Sequence, residues 1–402
     1  MKMIKNSSIL QWLEEIIYLL LLGSAFSACI SDALARNFIR LIFLLTFVRI
    51  ILSPGILRRL SQYKGIAKVF AIFVVMMFFE AIYGGHFWRT IHENRFIFMY
   101  NILLIFIVGL IVQNQKQIRK LLVASTLSLI IVDFYIFLQA WHGVARPVSW
   151  AWHSTPATTA MFYVVLTPCM LIMVFKCWQE KSPLWERLFY SGSYLLSVAA
   201  LICTQTRGAW LAVALLSILI ICYYAGSFKK AVGLLMLATV LLTGAIFSFP
   251  AVQTRVMSIG AATDNSQNER YRMWQGASHM FLDYPLLGVG LGNYTEAYTT
   301  KYVLPTSTEP GQRHAHNNFV QFFAETGLVG GVTFSLVCFY LLNWGVRRRR
   351  NSYGFMFFAV TLSVILYSLS DYLFAQIVGM RVYYLCTGVA ATGWKLTRER
   401  TR

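Results

Sequence analysis

Long apolar segments, separated by short polar connections, follow one another along nearly the whole chain. Most are close to the 20 or so residues that a helix needs to cross the hydrocarbon core of a bilayer. Within a bilayer, backbone N–H and C=O groups form all their hydrogen bonds only in helices and closed barrels. Segments of this length therefore predict an all-α polytopic membrane protein. The predicted transmembrane helices, about twelve in number, cover 12–30, 37–54, 66–84, 97–113, 119–140, 157–177, 186–204, 208–226, 229–249, 318–345, 353–370 and 375–394.

The composition supports this fold class. Hydrophobic residues make up 57% of the 402 positions and charged residues 13%, which excludes an ordinary soluble protein of this length. We expect one integral membrane domain over residues 1–402, with the first helix uncleaved. A polar segment at 250–316, between the ninth and tenth predicted helices, is too long for an idle connection and predicts a folded loop.

The formal net charge of +19 does not indicate a nucleic-acid partner, because basic residues in a membrane protein first report topology. Most lysines and the run Arg347–Arg350 fall in the termini and in alternate connections. This distribution predicts that both termini are cytoplasmic and that the loop 250–316 is periplasmic. Seven cysteines lie in or beside apolar segments without a CxxC pair, so we expect neither disulfides nor a cysteine metal site.

The opposite face carries arginine almost to the exclusion of lysine, which the topology rule does not explain. Lys301 is its one predicted lysine. A guanidinium group binds phosphate oxygens through two parallel hydrogen bonds and remains charged at any relevant pH. We therefore hypothesise that this face binds a phosphorylated, lipid-linked ligand; the alternative is contact with lipid phosphates. The arginines are Arg36, Arg40, Arg89, Arg95, Arg146, Arg207, Arg255, Arg270, Arg272, Arg313 and Arg381.

Two stretches give particular arginines a context. In TQTRGAWLA, 204–212, the connection is so short that Arg207 must lie at or near membrane depth, where an arginine indicates a functional site. In NERYRMWQGASHMFLDYPLLGVGLGN, 268–293, residues 269–282 predict an amphipathic helix with Tyr271, Trp274, Ser278 and Phe281 on one face. Three glycines follow, and we interpret them as turn formers and close-packing points, since no strand precedes them as a dinucleotide fingerprint requires.

The third stretch, RHAHNNFVQFFAETG at 313–327, places polar residues at the start of an apolar helix. His314 and His316 share a face if the backbone is extended. Histidine is suited to taking a proton from a hydroxyl near neutral pH. A metal site is not expected, because no third ligand has a convincing spacing. Asn317 and Glu325 are candidate positioning residues.

In their order and spacing, these motifs resemble the O-antigen ligase and polymerase superfamily. The motifs are Arg-Gly-Ala at a helix edge, Arg-x-x-x-Trp, Pro-Leu-Leu-Gly-x-Gly-x-Gly-Asn and His-x-His-Asn, within 204–331. The His-x-His-Asn form is most similar to the ligases of lipopolysaccharide assembly.

The resemblance implies a GT-C-related, metal-independent, inverting glycosyltransferase of the bacterial inner membrane, without a cofactor. Its donor would be O-antigen on undecaprenyl pyrophosphate and its acceptor a sugar hydroxyl of lipid A–core. His316 would be the catalytic base, and Arg207, Arg255 and Arg270 would bind the pyrophosphate. His314 and Arg272 join Asn317 and Glu325 as possible positioning residues. The resemblance leaves the role of Arg313 open.

Two alternatives remain at this stage. An O-antigen polymerase would use the same lipid-linked donor with a different acceptor. A transporter or flippase for an anionic lipid would favour paired ionisable groups at mid-membrane and inverted repeats. Asp133 and Arg49 are deep in predicted helices, but no repeat is visible in the sequence.

Overall fold

A computed structural model of the chain describes residues 2–85, 87–88, 100–150, 155–248, 250–257 and 265–400. These residues form helices and connections, without a strand among them. The first nine α-helices are α1 Lys2–Ser27, α2 Asp32–Leu52, α3 Lys64–Tyr83, α4 Leu103–Ile111, α5 Gln115–Trp141, α6 Pro156–Gln179, α7 Leu184–Cys203, α8 Arg207–Tyr224 and α9 Phe228–Ser248. They are followed by α10 Pro250–Met257, α11 Asn265–Asp283, α12 Tyr294–Ala297, α13 Asn318–Val346, α14 Ser352–Ser368 and α15 Ile377–Arg400. Short 3₁₀ segments cover Pro54–Tyr63 and Leu373–Ala375, and a π-helical turn covers Tyr298–Tyr302.

Each of the twelve predicted segments contains a helix, so the all-α, polytopic class is borne out. Within the described residues, six helices are long and apolar enough to cross a membrane. They are Ser8–Ser27, Pro54–Tyr83, Gln115–Trp141, Pro156–Gln179, Arg207–Tyr224 and Asn318–Val346, and Ser352–Ser368 is a shorter apolar helix. The count of twelve crossings stays a prediction. Residues 97–99 of the fourth predicted segment lie outside the described residues, as do Arg89 and Arg95.

Helix α6 lies at the centre of the helical body. In its most apolar window, 89% of the residues are buried. It packs against α7, α8, α14 and α15. The Thr155 side chain caps its first turn by accepting the Thr158 N–H. Because both ends of α6 are held by neighbours, the segments at its N-terminal end have a fixed base on which to form a site.

The opposite end of the helical body gathers several of the basic connections. Arg119 forms ion pairs with Glu180 and Glu186, at 3.3 Å from each carboxylate. Lys395 Nζ donates to the Arg59 carbonyl at 3.1 Å. These contacts hold connections between helices together, and the assignment of these connections to the cytoplasmic side stays a prediction.

The segment 250–316 contains α10, α11, α12 and the π-helical turn. The predicted amphipathic helix is present as α11, but the face that carries Tyr271, Trp274, Ser278 and Phe281 is not its most buried face. Met273, Ala277 and Met280 are buried, whereas Tyr271 is 67% exposed. The reason is a small second hydrophobic cluster that was not predicted from the sequence. In this cluster the face with Met273, Ala277 and Met280 packs against Tyr294, Tyr298 and Tyr302. Residues 258–264, at the start of the segment, lie outside the described residues.

The glycine-rich turn after α11 packs directly on the backbone of α13. Gly288 and Gly327 both have left-handed backbones, with φ of 65° and 56°. A Cβ atom on Gly288 would lie 2.4 Å from the Glu325 carbonyl carbon, and one on Gly327 would lie 2.4 Å from that of Leu286. Gly290 N donates to the Glu325 carbonyl at 2.9 Å, and Leu328 N donates to the Pro285 carbonyl at 2.8 Å. The glycines thus act as close-packing points, and the kink of α13 at Gly327 has its backbone groups satisfied by the turn.

Candidate active site

The stretch around His316 is fixed through the backbone of its neighbour Ala315. The Ala315 N–H donates to Gln321 Oε1 at 2.7 Å, and its carbonyl accepts the Trp274 indole N–H at 2.8 Å. His316 itself has a left-handed φ of 49°. This conformation is uncommon for a residue with a Cβ atom and marks functional sites when the surroundings enforce it. The rings of His314 and His316 lie 4.2 Å apart, edge to face, as the predicted shared face requires.

Asn317 caps the first turn of helix α13 and does not line the pocket described below. Its Oδ1 accepts the N–H groups of Phe319 and Val320, at 2.9 and 3.2 Å. Its Nδ2 donates to the Leu369 carbonyl at 3.1 Å. An asparagine in this position satisfies amides that the first helical turn leaves without a partner. Asn317 therefore holds the histidine stretch against the end of α14.

The carboxylate of Asp371 lies beside His316. Asp371 is buried, and its Oδ1 is 3.1 Å from His316 Nδ1. The Tyr372 N–H donates to the same oxygen at 2.8 Å, and the Tyr367 hydroxyl donates to Oδ2 at 3.4 Å. Burial alone would raise the pKa of Asp371, but the hydrogen bond and charge of His316, the charge of His314 and the Tyr372 N–H together lower it. The ionised carboxylate can therefore accept a hydrogen bond from the Nδ1–H group and orient the imidazole.

Three arginines and both histidines line one pocket of about 350 Å³. Arg207 stands at the first position of α8, Arg270 lies on α11, and Arg146 comes from the connection before α6. Arg146 is exposed as a whole, but partial enclosure of its guanidinium group lowers its pKa. Tyr367 opposes this effect, whereas the positive charges of Arg270 and Arg207 lower the pKa further. Other residues lining it are Thr155, Pro156, Ala157, Gln205, Thr206, Gly208, Gln267, Tyr367, Ser370, Asp371 and Gln376.

The Arg146 and Arg207 segments are joined by Gln205. Its Nε2 donates to the Ala145 carbonyl at 2.5 Å, and its own backbone is left-handed with φ of 54°. The residue is 8% exposed. Since Ala145 and Thr206 are the direct neighbours of the two arginines, this one side chain sets the separation of the loops that carry them.

The pocket is chemically an anion site with a base at one side. Among the described residues that line it, Asp371 is the one carboxylate, and it faces the imidazole of His316. Clustered guanidinium groups in a recessed site stabilise phosphate oxygens and any charge that develops on them. The arrangement suits a reaction in which a phosphate departs and a hydroxyl loses its proton.

Other candidate residues from the sequence do not line this pocket. Arg272 is bonded to Glu269, whose carboxylate also accepts from Ser307 and Thr308, so Arg272 stabilises the loop. Glu325 Oε1 accepts the N–H groups of Gly292 and Tyr294, each at 3.2 Å, and holds the glycine-rich turn. Arg313 is exposed and outside the pocket lining. Arg255 lies on α10, and its side chain falls outside the described residues.

Sequence reasoning missed Asp371 and gave Arg146 no individual role. The signal for Asp371 was a carboxylate directly after an apolar helix, where an ionisable group is costly unless it is paired. Arg146 was one of many arginines on its face, and nothing in its local sequence singles it out. Only the packing of α6, α8 and α14 brings these residues to His316.

A model of the O-antigen ligase family matches residues 192–335. The matched range includes Arg207, Arg270 and His316, while Arg146 and Asp371 lie outside it. None of the curated proteins is similar enough to the chain to count as a match.

Proposed function

The chain is a member of the O-antigen ligase/polymerase superfamily, and from that premise we propose that it is an O-antigen ligase. In this proposal it transfers O-antigen polysaccharide from undecaprenyl pyrophosphate to a sugar hydroxyl of lipid A–core. The reaction is inverting, takes place on the periplasmic face of the inner membrane, and needs no metal or other cofactor. Membrane lipids surround the protein, and nucleic acid has no role.

One observation carries the proposal: Arg146, Arg207, Arg270, His316 and Asp371 converge on a single pocket from five segments of the chain. Structural arginines at a membrane interface would have no reason to converge on a histidine–aspartate pair. A lipid-linked pyrophosphate donor needs positive charge for its leaving group, and the acceptor needs a base. Both requirements are met in this pocket.

The chemistry follows from the two halves of the pocket. Asp371 accepts a hydrogen bond from the Nδ1–H of His316, so the proton stays on Nδ1 and the Nε2 lone pair is left to take the proton of the acceptor hydroxyl. The hydroxyl oxygen attacks the anomeric carbon of the donor from the face opposite the pyrophosphate. The bond from that carbon to the pyrophosphate oxygen breaks, and the leaving group keeps the electron pair. Arg146, Arg207 and Arg270 stabilise its added negative charge.

Asp371 acts in this mechanism as a positioning residue for His316. Replacing Asp371 by Ala removes the acceptor for Nδ1–H, so the imidazole loses its fixed tautomer. We expect a reduced rate of transfer with donor binding retained, because the arginines are untouched. Asp283→Ala is the matched control, since that exposed carboxylate pairs with Lys301 away from the pocket.

The reaction is tested by supplying purified protein with lipid-linked O-antigen and either of two acceptors. A ligase gives glycosylated lipid A–core, whereas a polymerase lengthens a second lipid-linked glycan. Product on lipid A–core supports the proposal, and elongation alone would replace it with the polymerase alternative. In cells, deletion should leave lipopolysaccharide without O-antigen while the lipid-linked donor accumulates.

A further inference from the structure

Three potential metal ligands converge at one side of the pocket. His314, His316 and Asp371 each offer one ligand atom, and these atoms all lie within 4.8 Å of one another. His316 Nδ1 and Asp371 Oδ1 are already only 3.1 Å apart. In the sequence alone, the His-x-His pair has no third ligand at a convincing spacing. Asp371, 55 residues from His316, supplies that ligand.

The dimensions of the triad fit a transition-metal ion. Zinc binds imidazole nitrogen and carboxylate oxygen at about 2.0–2.2 Å, so two ligands of a tetrahedral ion stand roughly 3.4 Å apart. The His316–Asp371 separation is close to that value. The longest separation in the triad is at most 4.8 Å, so it must shorten by up to about 1.4 Å, which rotation of the half-exposed His314 side chain can provide. The triad offers three ligands, so a tetrahedral ion would take its fourth ligand from solvent or substrate.

We propose that His314, His316 and Asp371 bind Zn²⁺ and that the bound ion inhibits the enzyme. The inhibitory half of this inference rests on the proposed function, whereas the binding half does not. The ion takes the Nδ1 lone pair of His316, and the ring proton then resides on Nε2. An imidazole in that state has no lone pair with which to accept the proton of the acceptor hydroxyl.

The charges around the triad set the expected strength of binding. Arg146, Arg207 and Arg270 line the same pocket and oppose a divalent cation, while Asp371 is the one carboxylate in the described lining. The site should therefore bind zinc more weakly than a structural zinc site does. Reversible inhibition by added zinc follows from this weakness, as does full activity in its absence.

Binding is tested directly on full-length protein without a polyhistidine tag, stripped of metal in detergent. Calorimetry with Zn²⁺ should give one site per chain, and Co²⁺ should give the visible absorption of a tetrahedral complex. His314→Ala and Asp371→Ala should each weaken binding at least about tenfold, since even partners outside the ligand shell are worth 10–100-fold. His279→Ala replaces an exposed histidine outside the pocket and should bind as the wild type does.

Activity provides the second arm of the test. Zn²⁺ should inhibit transfer by the wild type, and EDTA should restore the original rate without raising it in the zinc-free enzyme. The residual activity of His314→Ala should be less sensitive to zinc. Absent binding, or binding unchanged in both ligand variants, would overturn the zinc site and leave the transferase proposal intact. Activation by zinc would overturn inhibition. A protein that binds zinc but has no transferase activity would overturn the proposed function and, with it, the inhibitory half of the inference, while the zinc site would stand.

Discussion

At the scale of single residues, two strained backbones lie in the pocket. His316 and Gln205 both have left-handed φ values, 49° and 54°, and neither is glycine. Such conformations cost of order 1–3 kcal/mol and persist only where the surroundings enforce them. Here the surroundings include the hydrogen bond between the Ala315 N–H and Gln321, next to His316, and the hydrogen bond from the Gln205 side chain to the Ala145 carbonyl. The pocket is therefore preorganised, which supports a catalytic function over a passive contact with lipid.

The two histidines should differ in their contributions. His316→Ala removes proton transfer, a step that typically contributes about 10²–10⁴-fold to a rate. We expect transfer to become undetectable while the lipid-linked donor still binds, because the arginines remain. His314→Ala should retain partial activity. Quantifying glycosylated lipid A–core and donor binding in parallel checks this; a fully active His316→Ala protein would move the base elsewhere.

Arg270 should require its planar group and not only its charge. Arg270→Lys keeps a cation but loses the paired hydrogen bonds to phosphate. We expect a strong loss of ligation at normal expression. Arg350→Lys, on an exposed arginine in the predicted cytoplasmic connection, is the matched control and should be silent. Near-normal ligation by Arg270→Lys would show that a point charge suffices.

At the scale of elements, the contact between the glycine-rich turn and α13 sets the geometry of the site. Helix α13 carries His316 just before its start, and its kink at Gly327 is filled by the turn. Glu325 reinforces the junction by accepting two backbone N–H groups of the turn. The sequence suggested Glu325 as a possible positioning residue of the active site. In the structure its buried carboxylate holds the glycine-rich turn, away from the pocket.

Substituting either junction glycine should destabilise the protein. Gly288→Ala and Gly327→Ala each force a left-handed backbone on alanine, at about 1–2 kcal/mol, and add a clash with backbone atoms of the opposite segment. Thermal unfolding in detergent should show a lowered midpoint for both. Gly311→Ala has open space around its Cβ atom and should leave the midpoint unchanged. Equal midpoints for all three variants would contradict the junction.

The loop should respond to acid through Glu269. Burial raises the pKa of Glu269, but hydrogen bonds from Thr308, Ser307 and Arg272 outweigh it and lower the pKa from 4.5 to about 2. Because the folded-state pKa is the lower one, this stabilisation is fully present above about pH 4.5 and is lost as pH falls towards 2. Glu269→Gln should expose the segment near Thr308 to protease at pH 7, more than the exposed Glu296→Gln control does. The difference in the rate of cleavage between Glu269→Gln and the wild type should shrink near pH 2, where pepsin is the protease used.

At the scale of the whole molecule, periodicity and length predict the helices because burial in lipid forces backbone satisfaction within each segment. They do not predict which face of α11 is buried, since that depends on Tyr294, Tyr298 and Tyr302 arriving from elsewhere. The local motifs identify Arg207, Arg270 and His316 as candidates. Asp371 and Arg146 join them only because helices distant in the sequence pack together. That packing cannot be predicted from a single sequence.

Topology is testable with reporter fusions. A reporter after Ser352 should give a cytoplasmic signal, because the preceding run Arg347–Arg350 favours that side. One near Thr263, in the stretch of the loop outside the described residues, should give a periplasmic signal. The opposite pattern would put the pocket in the wrong compartment for a lipid-linked donor that is used in the periplasm.

The pairing of His316 with Asp371 also has a consequence for the order of synthesis. The ribosome makes the arginines of the pocket first, then the histidine, and the aspartate 55 residues later. A nascent chain that has already inserted most of its helices therefore still has an incomplete site. Chains that terminate between His316 and Asp371 lack this carboxylate, so in the proposed mechanism their imidazole has no group to orient it.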